Sequence, residues 1–147
     1  MAGNVFELEQ VLLYRREMEK LRKQEFAVAK HQLERANEEL QREEALVVLL
    51  SREYQKCQQD MGCIDDMKLY LDFFTRKRVE IQQYGEQIEQ LDQIMDEKRT
   101  DLMEASKEKK VLESLKKKQA VEFRQLVAVR ERNFLDEISI QKKGKTA

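Results

Sequence analysis

Proline and tryptophan are absent from the 147 residues, and the chain holds only four glycines, two cysteines and one histidine. Proline in a helix interior costs about 3 kcal/mol and glycine about 1, so little in this chain opposes continuous helix. The lone His31, between Lys30 and Gln32, cannot assemble a histidine metal cluster or a histidine-dependent nucleophile. Cys57 and Cys63 are separated by five residues, a spacing of neither a zinc pair nor a CxxC redox motif, and are expected to be ordinary reduced thiols. No stretch approaches the roughly 20 apolar residues that span a bilayer, and the N-terminus has no secretory pattern, so a cytoplasmic protein without membrane insertion is expected. A glycine-rich phosphate loop is also missing. Carboxylates are abundant, but a rod offers no concavity in which to tune them, so neither an enzyme nor a cofactor is expected.

Aromatic residues make up 7% of the chain and hydrophobic residues 41%, while 39% are charged. This composition, rich in Glu, Lys, Arg, Gln and Leu, suits long helices that touch along a narrow stripe. The net charge of −1 gives no global field to attract nucleic acid or an anionic membrane. Basic character is local, in Arg76-Lys77-Arg78 and in the stretch from Lys107 to Lys118. These runs read either as a solvated helix face supported by nearby glutamates or as a docking patch.

Apolar spacing supplies the helical register. In the first arm Val11, Tyr14, Met18 and Leu21 alternate steps of three and four; the path then slips through Glu25 to Ala29 and resumes as Leu33, Ala36, Leu40, Glu43, Val47, Leu50, Tyr54 and Cys57 to Met61. Two successive steps of four are a stutter. The second arm runs without a slip through Met67, Tyr70, Phe74, Lys77, Ile81, Tyr84, Ile88, Leu91, Met95, Lys98, Leu102, Ala105, Lys109 and Leu112. Its three lysines weaken the seam, although their alkyl stems can cover apolar surface. Gly85, just off the seam, is a candidate soft point.

Between the arms, Gly62 can take the left-handed conformation that ends a helix, Asp65 can cap the next one, and Ile64 and Leu69 occupy the positions of a hydrophobic staple. The expected fold is therefore all-α: an antiparallel two-helix coiled-coil hairpin forming a single domain. The helices are expected over about residues 5–60 and 66–140, with a turn at 61–65 and a flexible C-terminal tail. A continuous helix through Gly62 that dimerises in parallel is the competing arrangement.

Folding back near residue 63 sets Leu50 near Arg76 and Phe6 near Ala120. At about 1.5 Å per residue the arms are about 85 and 110 Å long, so the second overhangs the first. The overhang, about residues 121 to 138, carries Val121, Phe123, Leu126, Val127, Val129, Phe134, Leu135 and Ile138, and a lone helix of that kind asks for a partner surface. A second surplus lies near the turn. With Val47, Leu50, Tyr70 and Phe74 on the seam, Leu49, Phe73 and either Leu71 or Leu69 are left for an exposed strip, which either thickens the local core or docks a partner.

The arrangement resembles the FliJ family of the bacterial flagellar type III export apparatus. The likeness is carried by the opening Phe6-Glu7-Leu8-Glu9-Gln10-Val11-Leu12-Leu13-Tyr14-Arg15, by Asp60-Met61-Gly62 followed by Tyr70, Phe73, Ile81 and Gln82, and by Phe134-Leu135-Asp136-Glu137 near the end. Lys77 and Glu80 depart from it, standing where family members often carry small or apolar residues.

The resemblance implies a non-catalytic coiled coil, similar to the rotor stalk of rotary ATPases, that acts in the cytoplasm at the inner membrane of the flagellar base. Such proteins bind and stimulate the hexameric export ATPase, contact the cytoplasmic domain of the export-gate membrane protein, and are implicated in handling export chaperones. Carried onto this chain, the ring-binding residues are Phe6, Val11, Tyr14, Phe123, Leu126, Phe134 and Ile138. The gate-binding residues are Val47, Leu50, Tyr54, Phe73 and Tyr84.

Three alternatives remain open on the residues alone. One is a self-associating scaffold, another the stalk protein of a virulence secretion system. The third is a nucleic-acid or membrane-surface binder using the basic runs, against which the near-zero net charge counts.

Overall fold

The computed structural model describes residues 5–59 and 64–146. They form two helices, α1 (Glu9–Gln59) and α2 (Ile64–Thr146), which pack against each other, and no strand occurs among the described residues. α1 is entered through a turn in which the Glu9 amide donates to the Phe6 carbonyl at 3.1 Å. The helix therefore starts at Glu9 rather than near residue 5. The expected turn at Asp60, Met61, Gly62 and Cys63 lies outside the described residues.

α2 begins at Ile64, so Asp65 and Asp66 occupy its first turn instead of a cap position. Their carboxylates there complement the positive end of the helix. The staple is not formed: Ile64 and Leu69 are both largely exposed, because a helix starting at Ile64 leaves that side chain on its outer surface. At the other end α2 continues to Thr146, past the tail expected from residue 140, in a sequence with no proline to stop it. Gly85 sits inside the helix, half-buried, and beyond its own turn of helix nothing lies within 4 Å of where a Cβ would be.

The chain divides into two compact units. In the first, residues 5–20 lie against part of 103–146. Leu12 is fully buried, and Ala105 and Glu19 nearly so. In the second, residues 21–59 lie against 64–102, with Ala29, Ala36 and Cys57 as the most buried side chains. The expected pairs are met in both units. Phe6 and Ala120 line one groove, and Leu50 and Arg76 line another.

All fourteen expected seam positions of α2, from Met67 to Leu112, are buried or half-buried. In α1 the seam from Glu25 to Cys57 is likewise inward, but the N-terminal part is not as the apolar spacing predicts. Val11 (42% exposed), Tyr14 (56%) and Leu21 (44%) face out, and the inward residues are Leu12, Arg15, Glu19, Arg22 and Phe26. These continue the three-four alternation from Leu12 to Cys57 with no slip. The stutter is an artefact of following apolar residues through a stretch where the seam is charged.

Those charges are matched across the helices. Lys109 Nζ lies 3.0 and 2.9 Å from the two carboxylate oxygens of Glu19. Lys98 reaches Glu25 at 3.7 Å, Lys77 donates to Glu43 at 2.6 Å, and Lys116 pairs with Glu9 at 2.8 Å. Arg15 pairs with Glu108, and Arg16 with Glu113 at 3.5 Å. Seam lysines read as weak points are thus half-buried halves of ion pairs. Pairs of this kind contribute little net stability, but they penalise any other register.

Candidate docking surfaces

In the first unit Gln119 donates to the carbonyl of Val5, the first described residue of the chain, at 3.1 Å. Past that point α2 keeps Phe123 and Val127 half-buried. From residue 128 to 137 every side chain is exposed. Leu126 (49%), Phe134 (62%) and Leu135 (62%) lie open, and Ile138 is half-buried. The helix propagates because its neighbours include Arg124, Arg130, Glu131 and Arg132, good helix formers with no proline or β-branched run among them. Of the seven expected ring-binding residues, Val11, Tyr14, Leu126 and Phe134 are exposed, while Phe6, Phe123 and Ile138 are half-buried. All seven fall in this one unit.

The second unit carries a different arrangement. Tyr54, Tyr70 and Phe74 form an aromatic cluster, with Tyr54 edge-on to both partners (centroids 6.1 and 5.9 Å) and Tyr70 stacked on Phe74 at 6.5 Å. Phe73 joins through Phe74 at 5.9 Å. Such pairs add about 0.5–1.5 kcal/mol each beyond the area they bury. The Tyr70 hydroxyl donates to Glu53 at 3.2 Å, and burial, then this bond, push its pKa up. Beside the cluster lies an open groove of about 530 Å³ lined by Leu50, Asp66, Leu69, Tyr70, Phe73 and Arg76.

Leu50 and Phe73 of the expected gate-binding set share that groove, with Tyr54 behind it in the cluster. Val47 and Tyr84 are half-buried along the seam and do not line it. Leu49, Leu69 and Leu71 are exposed as the surplus of apolar residues implied, whereas Phe73 is half-buried. Lys77 explains that difference. Its ammonium sits 5.6 Å over the Phe73 ring while donating to Glu43 and to Glu80 at 2.9 Å, and these two bonds hold its pKa above the ordinary lysine value. Lys77 and Glu80, the two departures from the family pattern, are thus bonded to each other, and the lysine covers one face of the Phe73 ring.

Among the described residues no group of three His, Cys, Asp or Glu side chains could hold a metal ion, and no helix is long and apolar enough to cross a membrane. What the geometry can do is bind: one stretch of helix displays isolated apolar side chains, and one groove is walled by aromatic rings. Sequence reasoning missed the charged seam. The fold-back register alone does not find it: pairing Leu50 with Arg76 sets Lys77 against Leu49, whereas the lysine reaches Glu43, more than a turn away along α1.

Residues 6–145 match the model of a family described as the flagellar FliJ protein. No curated protein and no solved structure matches the chain. With nearly its whole length matched, and with two helices of unequal length packed along a seam that ends in an exposed apolar stretch, the chain belongs to the FliJ family, the non-enzymatic components of the flagellar export apparatus.

Proposed function

We propose that this protein couples the export ATPase to the export gate, as a stalk-like subunit that binds the ATPase ring through its first unit and the gate through its second. The carrying observation is the stretch of α2 beyond Gln119. There Leu126, Phe134 and Leu135 stay in water although the helix needs no such residues to form. An exposed apolar helix of this length is a surface kept for a partner. Val11 and Tyr14, displaced from the seam, extend the apolar surface of the same unit.

The aromatic-walled groove supports the gate-binding role, with Leu50 and Phe73 as its contact residues and Tyr54 holding the wall in place. Through that contact the protein would work at the cytoplasmic face of the inner membrane.

The test is stimulation of ATP hydrolysis by the purified export ATPase. Phe123→Asp with Leu126→Asp is expected to abolish stimulation and leave far-ultraviolet circular dichroism unchanged. Full stimulation by the double variant would reject the assignment of the ring-binding surface. Light scattering on the isolated protein separates this reading from a self-associating scaffold, which requires a mass that rises with concentration.

A further inference from the structure

The ion pairs leave out a group of lysines. Lys107, Lys110, Lys117 and Lys118 are exposed, and none forms an ion pair among the described residues. Of the carboxylates within four residues, Glu108 is engaged by Arg15 and Glu113 by Arg16, while Glu104, three residues from Lys107, and Glu122, four from Lys118, form no ion pair among the described residues. At 100° per residue these lysines lie on the side of α2 away from Ala105, Lys109 and Leu112 of the seam, with Glu104 and Glu122 on one flank. Lys107, Lys110, Val111, Ser114, Leu115 and Lys118 line a single open surface groove. Apolar side chains stand among them: Met103 is 53% exposed, Val111 60% and Val121 48%.

We propose that this outward face of α2, from Met103 to Val121, binds an anionic lipid surface. Its central row, Met103, Lys107, Lys110, Ser114, Lys117 and Val121, has seam spacing but carries lysine at three of six positions. A third helix would have to bury those ammoniums, so helix packing is not what the row is built for. Nucleic acid is matched no better, for the face offers neither arginine forks to phosphates nor an aromatic ring on which a base could stack.

A sheet of phosphate headgroups demands no register. It accepts each lysine as a point charge while Met103, Val111 and Val121 reach the acyl boundary. The net charge of −1 counts against long-range attraction to such a surface, but charges further away than about 10 Å are screened, so at contact the local lysine face supplies the attraction. The face lies in the unit to which ring binding is assigned and its last residue, Val121, falls beyond Gln119, but none of the seven named ring contacts and five named gate contacts belongs to it.

The experiment is co-sedimentation of the full chain with vesicles of phosphatidylcholine alone or with about one third phosphatidylglycerol. Each lysine near an anionic surface contributes about fivefold to binding, so replacing all four by glutamine is expected to weaken sedimentation with the anionic vesicles by well over about tenfold. The control removes equal charge elsewhere: Lys30, Arg42, Lys56 and Lys68, all exposed and all in the second unit, changed to glutamine. It is expected to bind as the parent does. Val111→Gln with Val121→Gln is expected to lose a smaller, salt-insensitive share.

The proposal is overturned if the parent chain ignores anionic vesicles, or if the control loses as much as the lysine variant. It is also overturned if duplex DNA or a polyglutamate peptide is bound as tightly through the same four lysines. Circular dichroism of each variant confirms that the helices persist.

Discussion

The two units use their aromatic side chains in opposite ways. In the second, Tyr54, Tyr70, Phe73 and Phe74 touch one another and are half-buried. In the first, Tyr14 and Phe134 are exposed, Phe6 and Phe123 are half-buried, and among the described residues the one contact to these rings is the Arg15 guanidinium 5.6 Å over Tyr14. One unit spends its rings on its own packing; the other keeps them available. Two helices packed face to face bury only a stripe, so a ring placed off the stripe serves a partner, or else the helix would gain from a polar residue there.

The largest effect that sharpens this contrast is expected at Leu12, fully buried and alone in that among the described residues, where Leu12→Ala should cost about 3 kcal/mol in urea denaturation. Phe74→Ala in the second unit should cost about 2 kcal/mol, less than a fully buried ring because the cluster is half in water. Its counterpart Phe134→Ala should change stability by less than about 0.5 kcal/mol. A large loss at Phe134 would break the comparison, for it would place that ring in a packed core.

The charged seam comes next. Glu19→Ala leaves the part-buried Lys109 ammonium without its carboxylate, and should cost about 1–2 kcal/mol. Glu19→Leu combined with Lys109→Leu should recover that loss or exceed it, because apolar residues suit a seam better than a matched pair does. Failure of the double variant to recover would mean that the pair specifies register and that slipped forms take over, which light scattering and cross-linking would reveal.

The smallest expected effect is on pH. The Arg22 hydrogen bond first, with Lys98 adding to it, lowers the Glu25 pKa below its ordinary value of 4.5, so its favourable contribution is present above that value and is lost as pH falls through the folded one. Lys77, raised above 10.5 by Glu43 and Glu80, contributes fully below that value and loses its share as pH rises through the folded one. Denaturation midpoints should therefore form a plateau between these limits. Glu25→Gln should lower the plateau, make the fall on its acid side shallower and leave its alkaline side as it was.

How much of this was legible in the sequence follows from what fills the seam. α2 was readable throughout because apolar residues fix its phase and only three lysines interrupt them. The N-terminal part of α1 was not. Val11, Tyr14 and Leu21 imitate a seam one residue out of phase, while the true one runs through Arg15, Glu19 and Arg22, which carry no apolar signal. Charge complementarity across the helices holds the information, and it becomes visible only after the register is set. Exposure of Leu126 and Phe134 was legible from the inequality of the arms. The half-burial of Phe73 was not, because it depends on where the Lys77 side chain lies.

The most direct test of this division of labour is amide hydrogen exchange on the protein alone and with the export ATPase. The account predicts new protection confined to the first unit, strongest over residues 123 to 138, with exchange around Tyr54 and Phe74 unchanged. Protection that appears instead around Leu50 and Phe73, with the end of α2 exchanging as before, would contradict it.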